Sequence, residues 1–254
     1  MRKTSLLFVV LAAALVMAVP ASALQFGTPD GDDHPQVGLA VFYTAEGMPL
    51  WRCTGTLISP TRFLTAGHCT SGAAIAQVWF TSGRPAGYPF AGGVIGTPHA
   101  HPSYADFAEF PANYDVGMVV LHAAQPGPYA SLAPAGYLDG VKGGSHTTFD
   151  LVGYGVQDAL PPALVAQVAR YFGQAKLVNT KSAYNAGYNV QLSAAPGTGG
   201  ALCFGDSGGP VFLAGTTTIV AVNSFVLNNQ CMGSGFSYRT DTADSLAFIN
   251  SFAP

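Results

Sequence analysis

The sequence predicts an all-β protein, built as two similar β halves and closed by one C-terminal α-helix. Three observations predict this. Of the 254 residues, 31 are Gly and 18 are Pro; Gly at about 12% against a usual ~7% implies frequent turns. From residue 36 onward, short apolar runs of strand length alternate with those turns. One segment, at the end of the chain, carries a clear helical cap and period.

The first stretch stands outside that pattern. Arg2-Lys3 is followed by an apolar run of 14 residues, Leu6 to Val19, then by Pro20 and Ala21-Ser22-Ala23. A basic start, a short apolar run and a small-x-small site describe a secretory signal peptide over residues 1–23. A membrane span needs about 20 apolar residues, so an anchor is disfavoured. The chain is therefore expected to be secreted, extracellular, and free of the membrane once cut.

The elements follow in order. Strands are expected at Val37–Tyr43, Thr54–Ile58 and Phe63–Ala66, the last two joined by the turn Ser59-Pro60-Thr61-Arg62. Ala76–Thr81 and Val116–Leu121 complete the first half, over residues 24–124. Residues 125–144 are rich in Pro and Gly and read as a connector. The second half, residues 145–240, holds strands at Thr148–Val152, Lys176–Val178, Tyr188–Leu192, Val211–Leu213 and Thr217–Val222. Residues 163–170 fit either period. Over residues 241–254, Asp241-Thr242-Ala243-Asp244 supplies a helix cap. Leu246, Ile249 and Phe252 or Ala253 supply one apolar face.

Composition excludes several function classes. Charged residues make up 9% of the chain and hydrophobic ones 49%, where about a quarter charged is usual. A disordered tail or a charged coiled coil is not expected. Net charge is −3, from 10 Lys+Arg against 13 Asp+Glu, with no basic run. Nucleic acid is therefore not an expected partner.

Cys53, Cys69, Cys203 and Cys231 are an even set. In a secreted chain they are expected to form disulfides, with three pairings possible. No Cys-x-x-Cys pair suggests a metal. His99-Ala100-His101 could be read as a metal pair but has no third ligand nearby, so neither a metal nor another cofactor is expected.

Three segments carry chemistry. Leu64-Thr65-Ala66-Gly67-His68-Cys69 places a His after a strand. Asn113-Tyr114-Asp115-Val116 places a carboxylate at the mouth of an apolar strand, where it is desolvated unless paired. Cys203-Phe204-Gly205-Asp206-Ser207-Gly208-Gly209-Pro210 places a Ser in a glycine-rich turn. A serine hydroxyl needs an imidazole to take its proton and a carboxylate to orient that imidazole. The N–H groups of Gly205 and Ser207 are available for a developing oxyanion. Singly, each segment also reads as a solvated cap, a core histidine or a common turn; His34, His99, His101, His122 and His146 are read that way. Chain order narrows the choice. An α/β-hydrolase would place its His after the Ser, and no His follows Ser207. An Asp–His–Ser order of the subtilisin kind is disfavoured by the lack of alternating strands and helices.

With the order His68, Asp115, Ser207, the sequence resembles the trypsin/chymotrypsin-like serine proteases. Thr65-Ala66-Gly67-His68-Cys69 is similar to that family's Thr-Ala-Ala-His-Cys. Tyr114-Asp115-Val116-Gly117-Met118-Val119 is similar to its Asn-Asp-Ile-Ala-Leu-Leu, and Gly205 to Pro210 matches its Gly-Asp-Ser-Gly-Gly-Pro. Weaker echoes lie at His101-Pro102-Ser103-Tyr104, Gly153-Tyr154-Gly155 and Ser224-Phe225. The resemblance implies two six-stranded antiparallel barrels with the site between them, and the disulfides Cys53–Cys69 and Cys203–Cys231. It implies His68 as general base then acid, Asp115 as its orienting partner, Ser207 as nucleophile, and Gly205 with Ser207 as oxyanion donors. It implies Ser224 beside the aspartate, with Ala201, Leu202, Phe225 and Val226 along the substrate.

The pocket departs from the trypsin pattern. Ala201 stands where trypsin-like members carry Asp, Val226 replaces a wall Gly, and Gly235 or Phe236 falls near another wall position. Without a buried charge the cleft is expected to prefer an apolar P1 side chain. Asn223, where Glu-specific members carry His, argues against a Glu preference. Leu24-Gln25-Phe26-Gly27 aligns loosely with the family's activated terminus, so Leu24 is expected to pair through its amine with Asp206 once residue 23 is removed. The expected activity is that of a secreted serine endopeptidase acting on peptides or proteins as a monomer. A catalytically silent binding module, or an esterase with the same residues, is the alternative.

Overall fold

The computed structural model describes residues 24–106, 108–144, 147–159, 165–194 and 199–252. Strands β1 (Thr28–Pro29), β2 (Val37–Tyr43), β3 (Pro49–Leu57), β4 (Arg62–Thr65), β5 (Ile75–Trp79), β6 (Val94–Ala100) and β7 (Gly117–Leu121) come first. The short helix α1 (Gly67–Thr70) lies between β4 and β5. Then follow β8 (Ser131–Leu132), a 3-10 turn (Tyr137–Gly140), β9 (Thr148–Gly153), β10 (Tyr171–Asn179), β11 (Asn189–Ala194), β12 (Pro210–Leu213), β13 (Thr218–Val226), β14 (Gly233–Arg239) and helix α2 (Ala243–Asn250).

Strands β2-β3-β4-β7-β6-β5 close into an antiparallel barrel. Strands β9-β10-β11-β14-β13-β12 close into a second, because β9 pairs with both β10 and β12. In both barrels the first strand neighbours the second and fourth, and the third neighbours the sixth, so one topology is used twice. This agrees with the two six-stranded barrels and the C-terminal helix expected from the sequence. The short β1 pairs with β10, and β8 lies parallel to β13.

Burial follows from the sequence. All seven residues of β2 are buried. It pairs with β3 on one side and β5 on the other, which suits a nearly continuous apolar run. Strand β10 instead alternates, and its Ala175 and Leu177 face the second barrel's core. Strands β6 and β14 were not expected: β6 (Val-Ile-Gly-Thr-Pro-His-Ala) and β14 (Gly-Ser-Gly-Phe-Ser-Tyr-Arg) are broken by Gly, Pro and Ser and carry little strand signal. Thr242 caps α2 by accepting from Ser245 N. The buried face of α2 is Ser245, Phe248 and Ile249, with Leu246 only half-buried, because Phe248 packs on Phe252 and His101.

The barrels are joined by buried polar contacts. Arg170, only 1% exposed, donates to Asp30 Oδ2 at 2.6 Å and to Val37 O at 3.1 Å. Tyr154 N donates to Thr54 Oγ1 at 3.0 Å, and Tyr154 OH donates to Thr81 O. A buried guanidinium is tolerated only when its donors are used this fully. Among the described residues no helix is long and apolar enough to cross a membrane.

Candidate active site

The site is assembled by loops at the ends of strands in both barrels. His68 sits in α1, directly after β4. Its backbone N–H donates to Asp115 Oδ1 at 2.7 Å, and its Nδ1 lies 2.9 Å from Oδ2 and 3.1 Å from Oδ1. Gly67 allows this approach: a Cβ there would lie 2.9 Å from the Tyr104 ring and 3.2 Å from Asp115 Oδ1. Asp115, in the turn before β7, is 2% exposed. Ser224 Oγ, on β13 of the other barrel, donates to Asp115 Oδ2. The carboxylate thus has four short contacts, and the two barrels meet at it.

Electrostatics follow from this packing. Burial opposes protonation of His68, but the Asp115 carboxylate outweighs it and holds the imidazole above its ordinary value of 6.5. Burial opposes ionisation of Asp115, yet the His68 and Ser224 contacts keep its carboxyl below the ordinary range. Nδ1 therefore carries the proton shared with Asp115, and Nε2 is the free, basic nitrogen.

The turn Cys203–Pro210 brings Ser207 to the same place. Gly208 has φ +76, and a Cβ there would lie 2.6 Å from Ala66 N and from Thr54 O, so only Gly fits. Gly208 N donates to Asn223 O at 2.7 Å, and Thr54 N donates to Ser207 O at 2.8 Å. Ser207 is thereby held between the segment leading into His68 and the segment leading into Ser224. Among the described residues, Ser207 Oγ makes no hydrogen bond to His68 Nε2, whose nearest polar contact is Cys69 Sγ at 3.6 Å. Such contacts tighten when substrate binds. No hydrogen bond among the described residues uses the N–H of Gly205 or of Ser207. Gly205 has φ +96, and its carbonyl accepts from Thr54 Oγ1 at 2.8 Å.

Asp206 points inward, away from solvent. Its oxygens accept from Gly155 N at 2.8 Å and Cys203 N at 2.9 Å. Burial pushes its carboxyl up to about 7, and no ion pair reaches it among the described residues. Gln25 bridges to Ala201, with Ala201 N donating to Gln25 O at 2.9 Å, and Leu24 is fully buried.

The remaining expected site residues lie on the β13 side. Ala201 and Leu202 are buried, and Leu202 packs onto Gly235, where a Cβ would lie 2.5 Å from Leu202 Cδ2. Val226 packs against the Cys203–Cys231 disulfide. Phe225 stacks on Phe236 at 4.7 Å. A cavity of about 190 Å³ lies between His68, Asp115, Ser224 and Phe225, and is also lined by Tyr104, Asp106 and Asn113. Sequence reasoning missed Thr54, which ties the Ser207 turn to the first barrel, and Asn113. Thr54 carries no spacing signal because it acts through contacts distant in sequence; Asn113 is two residues before Asp115 and lines the cavity.

Both disulfides form as the resemblance implied. The grouping of Cys53, His68 and Cys69 has metal-like spacing, but its sulfurs are bonded to each other and offer no thiolate. The other histidines serve structure. His34 pairs with Asp30 and stacks between Phe172 and Phe212; His99 lies against Phe252; His101 stacks on Tyr114; and His122 meets Thr97. His146 and residues 1–23 lie outside the described residues.

The Trypsin family model matches residues 29–247 of the chain. A protein named trypsin from Saccharopolyspora erythraea is 30% identical over 188 residues, covering 70% of this chain and 76% of its own. A solved HL collagenase structure superposes with a TM-score of 0.71 at 17% identity, over 91% of this chain and all of the collagenase. The family match across both barrels, together with the two-barrel fold itself, identifies the chain as a member of the trypsin family of serine proteases.

Proposed function

We propose that the protein is a secreted serine endopeptidase in which Ser207 attacks the scissile carbonyl. His68 takes its proton and passes it to the leaving amine, and Asp115 orients the imidazole. The observation that carries this reading is the geometry at Asp115, with His68 Nδ1 at 2.9 Å and Ser224 Oγ on the same oxygen. With Nδ1 held by Asp115, Nε2 is the nitrogen left to act as the base toward Ser207. The uncommitted N–H groups of Gly205 and Ser207 suit an oxyanion, whose stabilisation by one such donor contributes about 10²–10³ in rate. Complete occupancy of these positions favours an enzyme over a silent binding module. The two disulfides and the apolar leader fit export.

The leader also bears on activation. Asp206 is a buried carboxylate with no ion pair among the described residues, and Gln25 pairs with Ala201, five positions before it in the chain. Cleavage after Ala23 would create an ammonium at Leu24 to pair with Asp206. Export itself would then activate the enzyme, with no further pro-segment.

Two outcomes test the reading. First, a neutral His68 is the working base, and its folded-state pKa lies above 6.5. The value of kcat/KM should therefore fall as pH drops through a midpoint above 6.5. A pH–rate profile with its optimum near pH 4 would contradict this. Second, the residues expected along a P1 side chain, Ala201, Leu202, Val226 and Gly235, carry no charge. A peptide panel varied at P1 should show apolar residues cleaved at least about tenfold better than Arg or Lys, because an unpaired cation would have to be desolvated there. Preferred cleavage after Arg would overturn the apolar pocket.

A further inference from the structure

We propose that Arg52 selects substrates carrying a carboxylate on the leaving-group side of the scissile bond; the proposal rests on the serine endopeptidase reading above. Strand β3 passes directly beside the nucleophile turn. Thr54 N donates to Ser207 O and Thr54 Oγ1 to Gly205 O. Alternation along a strand puts Arg52 on the same face as Thr54. Arg52 Nε lies 3.4 Å from where a Cβ on Gly205 would sit. The guanidinium therefore stands at the rim of the oxyanion site.

Ser207 has two flanks. On one runs β13, with Ser224, Phe225 and Val226 beside the P1 walls, which takes the acyl half of the substrate. On the other lie β3, the Cys53–Cys69 disulfide and His68, the group that protonates the departing amine. Arg52 belongs to the second flank, so it faces the half of the substrate that leaves.

Arg52 is half-buried, yet among the described residues its side chain makes no ion pair and no hydrogen bond. The acids that pair with arginine in this fold do so with Arg170 and Arg239. Asp206, the acid whose charge is felt together with that of Arg52, is buried behind the turn and satisfied by two backbone N–H groups. A guanidinium held at a site rim with its donors unused matches a carboxylate in shape and charge. The carboxylate can be an Asp or Glu side chain of the substrate, or the terminal carboxylate of a short leaving peptide.

The test uses peptides with one acyl half and an apolar P1 residue. The second leaving-side residue is Glu, Gln or Lys, each made as an amide and as a free acid. Rates are normalised to sites titrated with a fluorophosphonate. Wild-type kcat/KM should be about tenfold higher for a carboxylate-bearing arm than for the Gln amide, lowest for the Lys amide, and less divergent at high salt. A rise in the Glu amide identifies a side-chain carboxylate, and a rise in the Gln free acid a terminal one. Arg52→Glu should invert the order, and Arg52→Lys should keep it. Equal kcat/KM across the panel in wild-type protein with titratable sites overturns the Arg52 proposal alone. Absence of titratable sites overturns the endopeptidase reading, and this proposal with it. A variant that fails to fold shows as lost titratable sites, and the wild-type ratio and its salt dependence then decide.

Discussion

Replacing Ser207 with Ala is expected to lower peptide turnover by about four orders of magnitude or more, with KM little changed. That magnitude is the one known for the family's own triad chemistry. Its physical basis here is specific. Ser207 Oγ is the only hydroxyl in the turn between Gly205 and Pro210, and the turn is fixed by Thr54 and Asn223 on either side. Ala at this position removes one hydroxyl from a half-buried residue and leaves those backbone contacts in place, so the fold should be kept. His68 would still be oriented by Asp115, and the N–H groups of Gly205 and residue 207 would still bind a carbonyl oxygen. Residual activity should therefore come from binding and the oxyanion donors alone. Steady-state hydrolysis of an apolar-P1 peptide measures this. Turnover within tenfold of wild type would remove Ser207 from the mechanism.

Replacing Asp206 with Asn is expected to lower the activity of the mature protein by about a hundredfold or more, because the ion pair proposed between Asp206 and a Leu24 ammonium could not form. Without a partner, burial holds the Asp206 carboxyl near 7. For a carboxyl raised in this way, the uncompensated cost of ionisation is absent at low pH and grows as pH rises toward that value. An ammonium at Leu24 would cancel the cost. Asp206 immediately precedes Ser207 and anchors the turn through Gly155 and Cys203, so its pairing bears directly on the oxyanion donors. Asn keeps the shape and one acceptor but cannot pair with the ammonium. N-terminal sequencing should find Leu24 first in the active wild-type protein. Full activity in Asp206→Asn, or a mature terminus well downstream of Leu24, would contradict the activation reading.

Much of the architecture was legible because local chemistry and tertiary position agree. Val37–Tyr43 was read as a strand to the residue, since seven apolar residues bounded by polar turns suit a strand buried on both faces. Thr242 was within the cap expected for the last helix. Strand β14 was illegible because its Gly, Ser and Arg residues gain their β conformation from pairing with β11 and β13, not from propensity. On α2 the expected face holds at Ile249 and Phe252, while Phe248 is buried where Leu246 is only half-buried, through its aromatic contacts with His101 and Phe252.

At the site, His68, Asp115 and Ser207 were legible because each sits in a short local pattern. Thr54 and the role proposed for Arg52 were not, because both depend on β3 being laid against a turn about 150 residues away. Leu202 was named through the resemblance, but its packing on Gly235 depends on the second barrel closing.

The most direct measurement is the intact mass of the disulfide-bonded protein before and after a fluorophosphonate, with Ser207→Ala alongside. A single phosphonyl adduct on wild type and none on Ser207→Ala is the predicted result, since the probe needs both an activated hydroxyl and assembled oxyanion donors. An unmodified wild-type mass in protein that begins at Leu24, or an equal adduct on Ser207→Ala, would contradict the assignment of Ser207 as the nucleophile.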